Sequence, residues 1–220
     1  MMRWRISASD PDPEIVRAAV GVLRKGGVLA FPTSTLYGLG ADAGNPRAVE
    51  KIFDLKGRDS HRPLLVLIKD QADLPDLVRD IPPKAVLLME AFWPGGLTII
   101  FNAGPRTSSR LTGGTGKIGV RVPAHPAAAA MVAELARPMT GTSANPSGGE
   151  GCWDISRLDA ALASRLDGVV DAGPLKGGRG STVIDITVDP PCILREGTVS
   201  ETAIRSCCSI RTARPDPGIV

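Results

Sequence analysis

Five short loops in this 220-residue chain combine glycine with hydroxyl, amide or cationic side chains. They are Pro32-Thr33-Ser34-Thr35, Lys56-Gly57-Arg58, the run from Leu111 to Lys117, Gly141-Thr142-Ser143-Ala144-Asn145, and the run from Gly177 to Thr182. Each adjoins an apolar strand or a helix end. Converging from one side of a sheet, such loops make a cradle for an anion, because glycine lets backbone N–H groups approach a ligand and short side chains add donors. Phosphate is the anion such a cradle suits. Lys56 and Arg58 supply charge, the arginine as a planar fork and the lysine as a point charge. The exposed carbonyls of a helix exit would favour both cations there without any ligand. Arg121 interrupts the apolar strand Ile118-Gly119-Val120-Arg121-Val122, a costly place for a charge unless a carboxylate or phosphate meets it. Strand alternation puts Gly119 and Arg121 on one face, the reverse of the core face, although an exposed edge strand would accommodate the same pattern.

Familiar motifs do not account for these loops. A Walker loop needs GxxxxGK followed by Ser or Thr, and Lys117 is followed by Ile118. The 141–145 segment begins like a nucleophile elbow but ends in Asn, and only His61 and His125 are available as triad bases. Gly38-Leu39-Gly40 lacks the third glycine of a dinucleotide fingerprint. Neither histidine lies near cysteines at ligand spacing, which argues against a zinc site. His125, before Pro126, reads as a helix-start residue rather than a base, and Trp93 as packing ahead of a strand. Cys152, Cys192, Cys207 and Cys208 show no CxxC spacing, which suits a reducing compartment and a cytoplasmic location. The apolar runs are strand-sized, far short of the roughly 18–20 residues that span a bilayer, so no membrane association is expected. A net charge of +3, from 26 basic and 23 acidic residues, permits an anionic ligand without announcing a nucleic-acid binder.

The elements that must carry these loops are legible from caps and periodicity. Asp12-Pro13-Glu14 opens a helix that Gly26-Gly27 ends, and Asn45-Pro46 opens a second with Gly57 just past its last turn. Strands are expected at 27–31, 64–68, 97–101, 118–122, 168–171, 181–187 and 192–195, with a short one reaching Gly141. Helices are expected at about 71–79, 83–92, 126–136 and 156–166, and a single loop at 102–117. The alternation predicts an α/β fold, one domain over residues 1–210 with a twisted mixed sheet, helices packed around it and a concave ligand cavity, followed by a poorly ordered tail at 211–220.

Seven ordered segments carry a resemblance: GGVLAFPTSTLYGLGADA, KIFDLKGRDSHRPLLVLI, WPGGLTIIF, IGVRVPAHP, GTSANPSGG, GSTVIDIT and ILREG. Spread over about residues 10–205, they resemble the YrdC/TsaC-type threonylcarbamoyl-AMP synthases, in the short, single-domain bacterial form. The Lys-x-Arg and Ser-x-Asn elements are the most specific part. The resemblance implies an L-threonylcarbamoyladenylate synthase, a nucleotidyltransferase that converts L-threonine, bicarbonate and ATP to threonylcarbamoyl-AMP and pyrophosphate. This is the first step of N6-threonylcarbamoyladenosine modification of tRNA. It implies Lys56 and Arg58 as catalytic residues on the phosphates, with Ser60, Thr112, Asn145 and Arg195 also binding nucleotide. Thr33, Arg121, Ser143 and Ser181 would bind L-threonine. Mg2+ would be carried with ATP, with no dedicated metal site. A downstream threonylcarbamoyl transferase complex would be the partner, with tRNA or double-stranded RNA as a further contact. The alternatives are a YrdC-like RNA-binding module without nucleotidyl transfer and a related carbamoyl-adenylate-forming enzyme.

Overall fold

The computed structural model describes residues 1–57, 59 and 61–212. Arg58, Ser60 and residues 213–220, most of the expected tail, lie outside the described residues. In chain order the elements are β1 (Met2–Arg5), α1 (Pro13–Arg24), β2 (Leu29–Pro32), β3 (Tyr37–Gly40), α2 (Pro46–Lys56), β4 (Leu65–Leu67), α3 (Pro83–Phe92), β5 (Leu97–Asn102) and α4 (Ser109–Thr112). They continue through β6 (Lys117–Arg121), α5 (Pro126–Leu135), β7 (Met139–Thr140), β8 (Thr142–Ser143), α6 (Ala160–Ser164), β9 (Gly168–Asp171), β10 (Thr182–Asp185), β11 (Cys192–Arg195), α7 (Glu201–Arg205) and β12 (Arg211–Thr212).

The helix starts follow their caps. Asp12 accepts from the Glu14 N–H, and Asn45 accepts from the N–H groups of Arg47 and Ala48, each with proline in the first turn. Gly57 closes α2 in the left-handed conformation. His125 caps α5 by accepting from the Ala127 N–H, as its position before Pro126 suggests. The segment at 71–76 is a 3-10 helix containing Pro75, and the expected helix at 156–166 divides. Asp159 leaves the helical conformation and accepts from the Leu162 N–H, so it restarts the chain as α6 after a 3-10 turn at Ile155–Arg157. The short elements β1, β3, α4 and α7 were not expected. β12, at the start of the expected tail, pairs in parallel with β11.

The α/β class is as expected, and the strands divide between two mixed sheets, ordered β1-β9-β2-β3-β8 and β12-β11-β10-β5-β6-β4-β7. Side-chain alternation on β2 shows how the layers form: Leu29 and Phe31 face one apolar cluster, Val28 and Ala30 another. The first cluster is built with α1 and α5, through Val16, Val20, Leu23, Met131 and Val132. The second fills the space bounded by α2, α3 and the larger sheet, through Ile52, Phe53, Leu88, Ile99, Phe101, Ile118, Val120 and Ile184. Both sheets are thus buried by apolar residues of alternate parity. The opposite face of the larger sheet is left for the site.

Candidate active site

That face forms the floor of a cavity of about 750 Å³. Thr98 and Ile100 of β5, Lys117, Gly119 and Arg121 of β6, and Val183 and Asp185 of β10 all point into it, each two residues from the next. Their neighbours Leu97, Ile99, Phe101, Ile118, Val120 and Ile184 point into the core. Gly119 keeps the floor open: a Cβ there would lie 3.3 Å from Thr98 Cγ2 and 3.4 Å from Leu65 Cβ. Thr33 to Gly38 and the segment following Ser143 complete the wall.

Lys56 ends α2 in the interior, 4% exposed. Its ammonium donates to the carbonyl oxygens of Ser143 at 2.6 Å and Asn145 at 2.7 Å, and to Asn145 Oδ1 at 3.4 Å. The Lys56 carbonyl in turn accepts from the Ser147 N–H. The Lys-x-Arg and Ser-x-Asn elements therefore meet through this lysine. Asn145 is also held by donation from its amide to the Gly149 carbonyl.

Arg121, partly buried, stands on the cavity floor. Its Nε is buried without a hydrogen-bond partner, and among the described residues the guanidinium makes no ion pair. Burial and then the nearby Arg195 push its pKa down to about 10. Burial likewise lowers that of Arg195, whose Nε and Nη2 donate to the Ser181 carbonyl at 3.1 and 2.9 Å. Five cationic side chains among the described lining residues, Lys56, Arg62, Lys117, Arg121 and Arg195, face one carboxylate, Asp185. Asp185 is itself engaged by Lys117 at 2.9 Å and by the Thr187 hydroxyl and N–H. Such a surplus of buried cationic character is a receptor for an anion.

The structure brings Thr33, Lys56, Arg121, Ser143, Asn145, Ser181 and Arg195 to one cavity. Thr33 also closes the β2–β3 turn, its hydroxyl and N–H both donating to the Leu36 carbonyl. Thr112 does not line the cavity. It is buried, with its hydroxyl donating to the Ser109 carbonyl inside α4, because the helical turn at 109–112 folds that side chain back. Thr115 lines the cavity in its place, tied to the Thr112 carbonyl through its own hydroxyl and N–H. Thr98, Thr115, Asp185 and His61 are lining residues that sequence reasoning missed, and Lys117 one it set aside. Tyr37 is both core and wall: its hydroxyl donates to the Gly173 carbonyl at 2.7 Å, and burial raises its pKa, so it is not poised as a base. Among the described residues no group of three or more His, Cys, Asp or Glu side chains is placed to hold a metal ion. Nor, among the described residues, is any helix long and apolar enough to cross a membrane.

This architecture and sequence have relatives. A threonylcarbamoyl-AMP synthase of Bacillus subtilis is 41% identical over 209 residues, covering 93% of this chain and 60% of the relative. One of Halorhodospira halophila is 33% identical over 180 residues, covering 78% of this chain and 94% of that protein. The crystal structure of P. abyssi Sua5 complexed with L-threonine superposes with a TM-score of 0.93 at 33% identity, covering 97% of this chain and 63% of that one. The chain thus spans about three fifths of the Bacillus and P. abyssi proteins. The Sua5_yciO_yrdC family model, described as telomere recombination, matches residues 21–197. On that match, and on identities above 30% across most of its length, the chain belongs to the Sua5/YciO/YrdC family.

Proposed function

We propose that the chain is an L-threonylcarbamoyladenylate synthase, a nucleotidyltransferase that joins L-threonine, bicarbonate and ATP and releases pyrophosphate. The observation that carries this reading is Arg121, a partly buried arginine whose Nε is buried without a partner among the described residues, on the floor of a cation-lined cavity large enough for a nucleotide and an amino acid. A carboxylate there satisfies both the orphaned donor and the local charge. The relatives' names supply the activity that fits it.

In the reaction, the neutral amine of threonine combines with carbon dioxide derived from bicarbonate, giving a carbamate. A carbamate oxygen attacks the α-phosphorus of ATP and the bond to the departing pyrophosphate breaks. Positioning and charge stabilisation are the protein's share of this chemistry. Arg121 holds the threonine carboxylate, with Thr33, Ser143 and Ser181 around the rest of the amino acid. Arg58, Ser60, Asn145 and Arg195 serve the nucleotide, together with the Thr115 segment rather than the Thr112 hydroxyl. Lys56 serves it by fastening the Ser-x-Asn segment and by its charge at the lip of the phosphate region. Mg2+ would arrive with the ATP phosphates, whose charge it would offset. In this reading the product passes to a threonylcarbamoyl transferase acting on tRNA, and the chain works in the cytoplasm.

The test is pyrophosphate release from ATP with and without L-threonine and bicarbonate, with the adenylate identified by mass spectrometry. Turnover that requires all three substrates supports the reading. Threonine-independent turnover, or none from folded protein with every substrate supplied, overturns it.

A further inference from the structure

The segment Trp93-Pro94-Gly95-Gly96-Leu97-Thr98 has no part in the reaction as described, yet it ends inside the cavity. It is fastened on three sides. Trp93 Nε1 donates to the Leu97 carbonyl at 2.7 Å, the Gly95 N–H donates to Val122, and the Gly96 carbonyl accepts from the Thr182 N–H. The result is a fixed register in which Thr98 stands beside Val183, buried, with its side chain toward the cavity.

There Thr98 Oγ1 and Ser181 Oγ lie 2.8 Å apart. Ser181 is the only hydrogen-bond partner of the Thr98 hydroxyl among the described residues. The Ser181 carbonyl is already gripped by the two-pronged contact from Arg195, whose Nη2 also reaches Ser181 Oγ at 3.4 Å. Ser181 is therefore held at its backbone by Arg195 and at its side chain by Thr98. A serine hydroxyl offers one donor and two acceptor positions, and with Thr98 Oγ1 and Arg195 Nη2 beside it a single hydrogen-bonding direction is left for a ligand. The methyl of Thr98 meanwhile faces the open space over Gly119. A polar group and an apolar group side by side complement the hydroxyl and methyl that a β-hydroxy amino acid carries on its β-carbon.

We propose that Thr98 is a positioning residue that orients the Ser181 hydroxyl toward the β-hydroxyl of the substrate, making the Thr98–Ser181 pair the device that selects threonine over its isostere valine. The inference rests on the function proposed above and goes beyond it by naming how the side chain is read. Valine would set a methyl against the one hydrogen-bonding position of the Ser181 hydroxyl that Thr98 and Arg195 leave open, and a site built to bond a hydroxyl rejects an analogue lacking it far more strongly than an apolar pocket does.

The experiment measures pyrophosphate release by wild type, Thr98→Val, Thr98→Ala and Thr98→Ser against L-threonine and L-valine, with L-threonine binding followed by calorimetry. Removing the hydroxyl should raise KM for threonine about tenfold or more, leave kcat within about threefold, and lower the threonine-to-valine preference about tenfold, whereas Thr98→Ser stays close to wild type. A purely structural role would lower the amount of folded protein without moving the preference. Thr98→Ala is a second hydroxyl-free variant should Thr98→Val fail to fold. A preference unchanged in both hydroxyl-free variants, or a Thr98→Ser variant as impaired as they are, overturns the inference while wild-type turnover leaves the proposed function standing. Wild-type protein that neither needs nor binds threonine removes both.

Discussion

Lys56 Nζ donates to the carbonyl oxygens of Ser143 and Asn145, so the cation of one signature element fastens the backbone of the other. The helix end and the Ser-x-Asn loop cannot move independently while these bonds hold. Lys56→Met should cost about 2–3 kcal/mol of stability, the scale for hydrogen bonds from a charged donor to buried acceptors, and should also lower activity. Urea denaturation alongside the turnover assay checks this. On sequence grounds alone, the substitution would be expected to act on turnover more than on folding. A Lys56→Met protein as stable as wild type would restore that simpler reading.

Arg121 has the opposite signature. Its Nε is buried without a hydrogen-bond partner, with Arg195 nearby and no ion pair to a carboxylate among the described residues, which disfavours the charged form and costs stability. Arg121→Met should leave the melting temperature unchanged or raise it by a few degrees, a gain of up to about 1–2 kcal/mol, while reducing turnover by about 100-fold or more. Differential scanning fluorimetry and steady-state kinetics read the two effects separately. A large fall in melting temperature would show that Arg121 supports the fold.

His125 makes stability pH-dependent. Burial lowers its pKa below the ordinary 6.5, and its Nδ1 must stay unprotonated to accept from the Ala127 N–H. The unfolded chain therefore binds this proton more readily, so the stabilisation is present above pH 6.5 and is lost as pH falls through the depressed native value. His125→Asn keeps a capping acceptor but does not titrate in this range. Its stability relative to wild type, followed from pH 8 to pH 5, should improve as the pH falls. A pH-independent difference would rule the histidine out as the cause.

Gly113 joins the end of α4 to the backbone at His61 and Arg62 sterically. It ends α4 with φ of 56°, and a Cβ there would lie 2.5 Å from the His61 carbonyl oxygen and 2.6 Å from its carbonyl carbon. These are backbone atoms, unable to swing aside. Gly113→Ala should cost about 2 kcal/mol or more and raise KM for ATP more than KM for threonine, because the strand of chain it displaces follows Lys56-Gly57-Arg58. Thermal denaturation and substrate-dependence measurements check the two parts.

The sequence made the long elements legible where local chemistry decided them. Asn45-Pro46 and Gly57 bounded α2, and the apolar runs marked β5, β6 and β9, because caps and burial patterns act within a few residues. The hairpin strand β3 was not legible: Tyr37 to Gly40 contains two glycines, and its pairing with β2 and β8 is a tertiary event. The division into two sheets is likewise set by long-range pairing. Within the site, Arg121 was visible as a charge among apolar residues. Thr98 sat in a run that reads as core, and its role depends on a partner 83 residues away. Thr112 was misplaced because one helical turn decides whether it or Thr115 faces the cavity.

The alternation on β6 carries a consequence for how this protein can vary. Gly119 and Arg121 face the cavity, and Ile118 and Val120 belong to the core. Deleting or inserting one residue within that strand would exchange the two sets, burying arginine among leucines and phenylalanines and lining the cavity with isoleucine and valine. Lineages descending from such a chain can exchange side chains here but cannot change its length, so gain and loss of residues is left to the loops at either end.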